Sequence, residues 1–177
     1  MTPAKNNAFT LIELITVLAI GAILMAMVLP LAQGARHQYA LSETKARFHR
    51  YTLALEQFKA EYGFYPSMDG NPIQTSSSPM LINSTPNRFI ELMTGHAITG
   101  GAMTDPIAQQ ENPKALSFIT FTNNELTSDG QLQDSLGQTN IDLYYDADGD
   151  GYLDSLSGVR GTIGWQSSGS ETITSWQ

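Results

Sequence analysis

The sequence has no cysteine, which excludes disulfides, thiolate metal sites and cysteine nucleophiles together. Of its three histidines, His37, His49 and His96, no two stand at the spacing of a metal pair, and His37 and His49 are expected to be solvated. Basic residues are scarce through most of the chain. Residues 63–177 hold only Arg88, Lys114 and Arg160 against thirteen acids, a net charge of −10, whereas residues 1–62 carry +2. An acidic body of this kind has no footprint for nucleic acid, so no nucleic-acid partner is expected. There is no Gly-rich phosphate loop and no Ser/His/Asp arrangement in a supporting context, so no enzyme is expected, although hydrolysis by a carboxylate pair is left open.

Charge is missing altogether from residues 14–32, nineteen consecutive positions. As a helix they span about 28 Å, close to the hydrocarbon thickness of a bilayer. A secretory signal peptide would be shorter and followed by a small-x-small cleavage site; Ala32-Gln33-Gly34-Ala35 is a poor one. A buried core helix would show polar residues every few positions, and this run offers only Thr16. The pattern predicts a membrane helix, with Pro30 kinking it near its end. Lys5 precedes the run while Arg36 and the basic residues of 45–50 follow it, so charge alone favours the end after the run as cytoplasmic.

The residues before the run read Lys5-Asn6-Asn7-Ala8, then Phe9-Thr10-Leu11-Ile12-Glu13. A short charged leader followed by an aromatic residue, with an acid fifth from it, resembles the type IV pilin and type II secretion pseudopilin family, and Pro30 falls at a family position. The resemblance covers residues 5–66 well and the rest in patches. It implies a leader (1–8) cut on the cytoplasmic side between Ala8 and Phe9 by a prepilin peptidase, which sets the orientation. It also implies methylation of the new Phe9 amine and a retained membrane-spanning and filament-core helix (9–33). The family usually has glycine before the cut, where this chain has Ala8. Physically, a carboxylate at Glu13 among Leu11, Ile12, Leu14 and Ile15 is costly in hydrocarbon. The nearest cation after cleavage is the Phe9 amine, its own or a neighbour's. Pairing with a neighbour's amine would set register during assembly, whereas a position among the headgroups would leave Glu13 simply solvated.

Positions 41, 44, 48, 51, 55, 58 and 62 recur at steps of three and four and are apolar except Thr44, predicting an amphipathic helix (34–63) ended by Gly63 and Pro66. Its aromatic stripe is expected to be core. Residues 67–87 read as a loop, with Thr85-Pro86 capping a short helix over 87–94 stopped by Gly95, and 95–113 as irregular chain. Runs at 117–122, 141–145, 161–165 and 172–176 predict a small antiparallel sheet, making the fold α+β: a long N-terminal helix packed on a β-rich domain over 64–177. The aromatic-Gly-x-Tyr-Pro turn at 62–66 and the lack of cysteine are similar to the major pseudopilin branch.

Residues 146–154, Asp-Ala-Asp-Gly-Asp-Gly-Tyr-Leu-Asp, place acids at alternate positions and glycine at the sixth. Calcium takes about six to eight oxygens, so Asp146, Asp148, Asp150 and the Tyr152 carbonyl are candidate ligands, with Asp154 binding directly or through water. The usual glutamate at the twelfth position is replaced by Ser157 and the flanks are not helical, so this is a calcium-type loop in a β-rich context rather than an EF-hand. The competing reading is a solvated acidic turn. Pseudopilins of the resembled branch bind calcium in a C-terminal loop. The resemblance further implies a structural subunit of a type II secretion pseudopilus, its C-terminal domain in the periplasm. Its implied partners are copies of itself, other pseudopilins, the inner membrane, the prepilin peptidase and the secretion assembly platform. A type IV pilin or minor pilin of a surface pilus (adhesion, motility or DNA uptake) is the alternative.

Overall fold

The stripe at steps of three and four forms one side of a continuous helix, α1 (Leu11–Tyr62). The computed structural model describes residues 10–66, 79–85, 87–169 and 171–176, with side chains for all of these except 28–33. The chain divides into two compact units, Met1–Tyr39 and Ala40–Gln177. In the first, the described part is helix, and its large apolar side chains from Leu11 to Met27 are exposed all round. Among the described residues no helix is long and apolar enough to cross a membrane. The described apolar side chains stop at Met27, and those of 28–32, the end of the uncharged run, lie outside the described residues.

In the second unit, the remainder of α1 buries Thr44, Phe48, Tyr51, Leu55 and Phe58, and Leu41 and Tyr62 pack at the edge of the same core. The helix stops where Gly63 takes φ +83° and its N–H bonds back to the Lys59 carbonyl. Trp165 stands at the centre, fully buried, stacked on Phe48 at 5.8 Å and edge-on to Tyr51 and Phe89, with its indole N–H donating to Thr52 Oγ1 at 3.0 Å. Burying an indole with its N–H satisfied joins a large apolar area to one fixed orientation. Arg47 and Arg50 lie off the apolar stripe but are not simply solvated. Arg47 is buried and bonded to Glu43, and Arg50 holds the buried Glu125 at 2.5 Å.

A four-stranded antiparallel sheet in the order β1-β2-β3-β4 packs on this helix face: β1 (Met80–Leu81), β2 (Ile141–Tyr145), β3 (Ile163–Ser167) and β4 (Ile173–Thr174). The α+β architecture expected from the sequence is therefore present. Ile141, Leu143 and Tyr145 of β2 face the core, and Asp142 and Tyr144 face the other side, as a period of two requires. Two short helices fill the remaining side of the core: α2 (Arg88–Thr94) and α3 (Pro106–Glu111).

Several expectations are corrected. Residues 117–122 form no strand; the Phe118 and Ile119 N–H groups both bond to the Met93 carbonyl, and the Phe118 and Phe121 rings pack on the core. Here aromatic content serves packing without a ladder. Asn87, at φ +67°, caps α2 in place of Thr85, without a side-chain bond, while Pro86 and residues 67–78 lie outside the described residues. The stop at Gly95 stands: its φ is +73°, and an added Cβ would lie 2.3 Å from the Ala115 carbonyl oxygen. β1 falls inside the expected loop and α3 inside the expected irregular stretch. α3 has a clear start, Asp105 accepting from the Ile107 and Ala108 N–H groups at 3.0 and 2.9 Å, with Pro106 next. The buried Glu91 is satisfied by Thr104 N–H and O–H at 2.6 Å and Asp105 N–H at 2.8 Å, tying α2 to the start of α3.

Candidate functional site

Two places carry the chemistry singled out in the sequence. At the N-terminus, Ala8 and Phe9 lie outside the described residues, and the description begins at Thr10. Glu13 Oε2 accepts from the Thr10 N–H and O–H, both at 2.8 Å, while the Glu13 N–H donates to Thr10 Oγ1 at 3.3 Å. This is a capping box, Thr-x-x-Glu, in which cap and third helical residue satisfy each other's orphan groups. The Thr10-Leu11-Ile12-Glu13 spacing carries it in the sequence, beside the charge of Glu13. The Thr16 hydroxyl donates to the Glu13 carbonyl at 2.9 Å, so the Thr10, Glu13 and Thr16 side chains all bond within this one chain.

The second place is the acidic loop between β2 and β3. β2 delivers Asp146 at its end, and the Asp146 N–H donates to the Thr162 carbonyl at 3.1 Å, continuing the β2–β3 ladder. The loop then folds on the Asp146 carboxylate, which accepts from the N–H groups of Gly149 (2.7 Å), Asp150 (3.1 Å) and Gly151 (2.9 Å). Gly149 and Gly151 take φ +78° and +86°, a left-handed path that explains the two glycines. Asp148 and Asp150 accept from the Asp150 and Tyr152 N–H groups at 3.1 and 2.8 Å. An antiparallel bridge between Tyr152 and Arg160 closes the loop.

One carboxylate oxygen from each of Asp146, Asp148 and Asp150 lies within 4.8 Å of the others. Oxygens about 2.4 Å from one central ion stand no more than about 4.8 Å apart, so this spacing and all-oxygen donor set fit calcium or a similar hard cation as half of a ligand shell. Asp148 and Asp150 are exposed and Asp146 half-buried. Asp154 is not in this group; its Oδ2 accepts from the Ala147 N–H at 3.0 Å and its N–H bonds to the Tyr145 carbonyl at 2.9 Å, so it braces the loop base. The Tyr152 ring faces the Arg160 guanidinium at 5.4 Å, across the bridge that closes the loop. Tyr65, just after α1, packs on Tyr145 at 5.0 Å and donates to Glu56 at 2.7 Å. Burial first, then the Glu56 hydrogen bond, push its phenol well above the usual range. No spacing rule in the sequence linked Tyr65 to the residue before Asp146.

No curated protein and no solved structure matches this chain. Residues 3–29 match the model of the prokaryotic N-terminal methylation motif, the segment that holds Ala8, Phe9, the Thr10–Glu13 capping box and most of the uncharged run. The chain thus carries a prepilin-type N-terminus, consistent with the type IV pilin and pseudopilin family.

Proposed function

We propose that the chain is a structural subunit, a pseudopilin of a type II secretion pseudopilus, that is stored in the inner membrane and polymerises through its N-terminal helix. The observation that carries this reading is the methylation motif at residues 3–29 joined to a helix whose apolar side chains, from Leu11 to Met27, are exposed on every side. Side chains of that kind need lipid or other helices around them. The membrane supplies the first environment and packed copies of the helix the second. Cleavage between Ala8 and Phe9 by a prepilin peptidase, methylation at Phe9 and pairing of Glu13 with a neighbour's Phe9 amine belong to the same proposal, and no catalytic step is assigned to the chain. The secretion assembly platform and other pseudopilins are its expected partners, and the acidic domain is expected in the periplasm.

Asp146, Asp148 and Asp150 would hold calcium, with the Tyr152 carbonyl as a further oxygen and Asp154 keeping the loop closed beneath them. Bound there, the cation supplies the positive charge that lets three carboxylates face one another. The absence of cysteine and the acidic loop favour the secretion branch over a surface pilus. Deleting the gene in its native host tests the choice: the reading expects lost export of a folded periplasmic cargo with surface pili intact. Lost pili with normal export would assign the chain to the type IV pilin branch instead.

A further inference from the structure

Residues 63–177 hold three cations among thirteen acids, and two of them are already paired inside the domain: Arg88 with Asp105 at 3.1 Å, and Lys114 with Glu61 at 2.5 Å. Arg160 is different. It is exposed, its Nε donates to the Tyr152 hydroxyl at 3.3 Å, and its guanidinium lies on the Tyr152 ring, yet among the described residues no carboxylate reaches it. The hydrogen bond and ring contact with Tyr152, together with the backbone bridge, restrain the guanidinium, and among the described residues its two Nη groups have no acceptor. A planar fork held this way is prepared for a carboxylate. It forms one wall of an open groove of about 460 Å³, lined also by Gly158, Val159, Ser175 and Trp176.

The complementary charge stands on the same side of the sheet. Trp176 packs edge-on against Tyr144 at 5.4 Å, and Asp142 shares with Tyr144 the face of β2 turned away from the core. Asp142 is half-buried between its cross-strand neighbours Leu81 and Gln166, with no hydrogen bond or ion pair among the described residues. Burial pushes its carboxyl above the usual range, with no offsetting cation among the described residues. Among its described residues, one domain therefore shows an arginine without an acid and a half-buried acid without a base.

We propose that the Arg160 groove receives the Asp142 carboxylate of a second copy of this chain. The inference rests on the reading that copies assemble and names a contact between their globular domains. A contact between copies that pairs unlike groups needs two different, complementary patches on one subunit, and these are such a pair. Charge complementarity selects the occupant: domains of net charge −10 repel one another, and Arg160 is positioned to offset that repulsion locally.

The test uses the full chain, whose lack of cysteine gives a silent background. Asp142→Cys and Arg160→Cys, placed in separate co-expressed copies, should give a disulfide-linked dimer on oxidation of assembled material, and neither variant alone should. Arg160→Glu should lower assembly by up to about fivefold, and Asp142→Arg combined with Arg160→Glu should restore it. Unchanged assembly of Arg160→Glu with no cross-linked dimer overturns this contact while leaving the assembly reading intact. Loss without restoration by the double exchange overturns the role of Asp142. Failure of the unmutated chain to assemble at all overturns both.

Discussion

Asn112 shows what a single residue can hold. It is fully buried, and its side chain makes four hydrogen bonds: it donates to the Leu92 and Leu116 carbonyls at 2.9 and 2.8 Å and accepts from the Leu116 N–H at 2.9 Å and the Tyr62 hydroxyl at 2.6 Å. Those bonds join the last residue of α1, α2 and the chain after α3. Asn112→Ala leaves two carbonyls, an N–H and a phenol without partners, and an unsatisfied buried polar group costs about 1–3 kcal/mol. Calorimetry of the full chain should therefore show a loss of at least about 2 kcal/mol; a change under about 0.5 kcal/mol would mean that water replaces the bonds. Nothing in the sequence marks Asn112, because its partners lie in three separate segments. Glu13 is the reverse case, since its capping partner stands three residues away.

At the scale of elements, the sequence was informative wherever an element repeats its own period. The stripe of α1 from Leu41 to Tyr62 is long enough to average over exceptions, and its buried side chains fall where the spacing puts them. β2 and β3 are five residues each and largely buried, and their existence was legible, though β3 is Ile163–Ser167 and not 161–165. β1 and β4 have two residues each, too short for any period, and β4 alone fell inside an expected run. The Asp105-Pro106 start of α3 is legible in the sequence, within a stretch expected to be irregular. The acidic loop was legible because its residues act through neighbours in sequence. The bracing of its base by Asp154, and the packing of Tyr65 on Tyr145 beside it, required the fold.

The loop also yields a prediction at this scale. Three carboxylates within 4.8 Å repel one another without a cation, and a ligand that binds only the folded form adds about 2.7 kcal/mol at a hundredfold excess over Kd. The melting temperature of the full chain in detergent should rise with millimolar calcium and fall with chelator. Asp148→Ala should abolish the rise and leave the chelated melting point unchanged or slightly higher, because one repelling charge is gone. A calcium-independent melt of the unmutated chain would make 146–154 a solvated acidic turn.

At the scale of the whole molecule, the chain joins a prepilin-type N-terminus and an exposed apolar helix to an acidic α+β domain whose core is built on the same helix. In the proposed assembly, Glu13 acts beyond capping its own helix by pairing with a neighbour's Phe9 amine. Glu13→Ala removes both cap and charge, while Glu13→Gln keeps an acceptor for Thr10 and removes only the charge. Both variants should insert in the membrane and give little filament. Wild-type yield from Glu13→Gln would reduce Glu13 to a helix cap. The most direct measurement of the central claim is the intact mass of the protein purified from its native membrane. The account predicts a chain that starts at Phe9 with one methyl group added, and a retained leader or an N-terminus near Ala35 would contradict it.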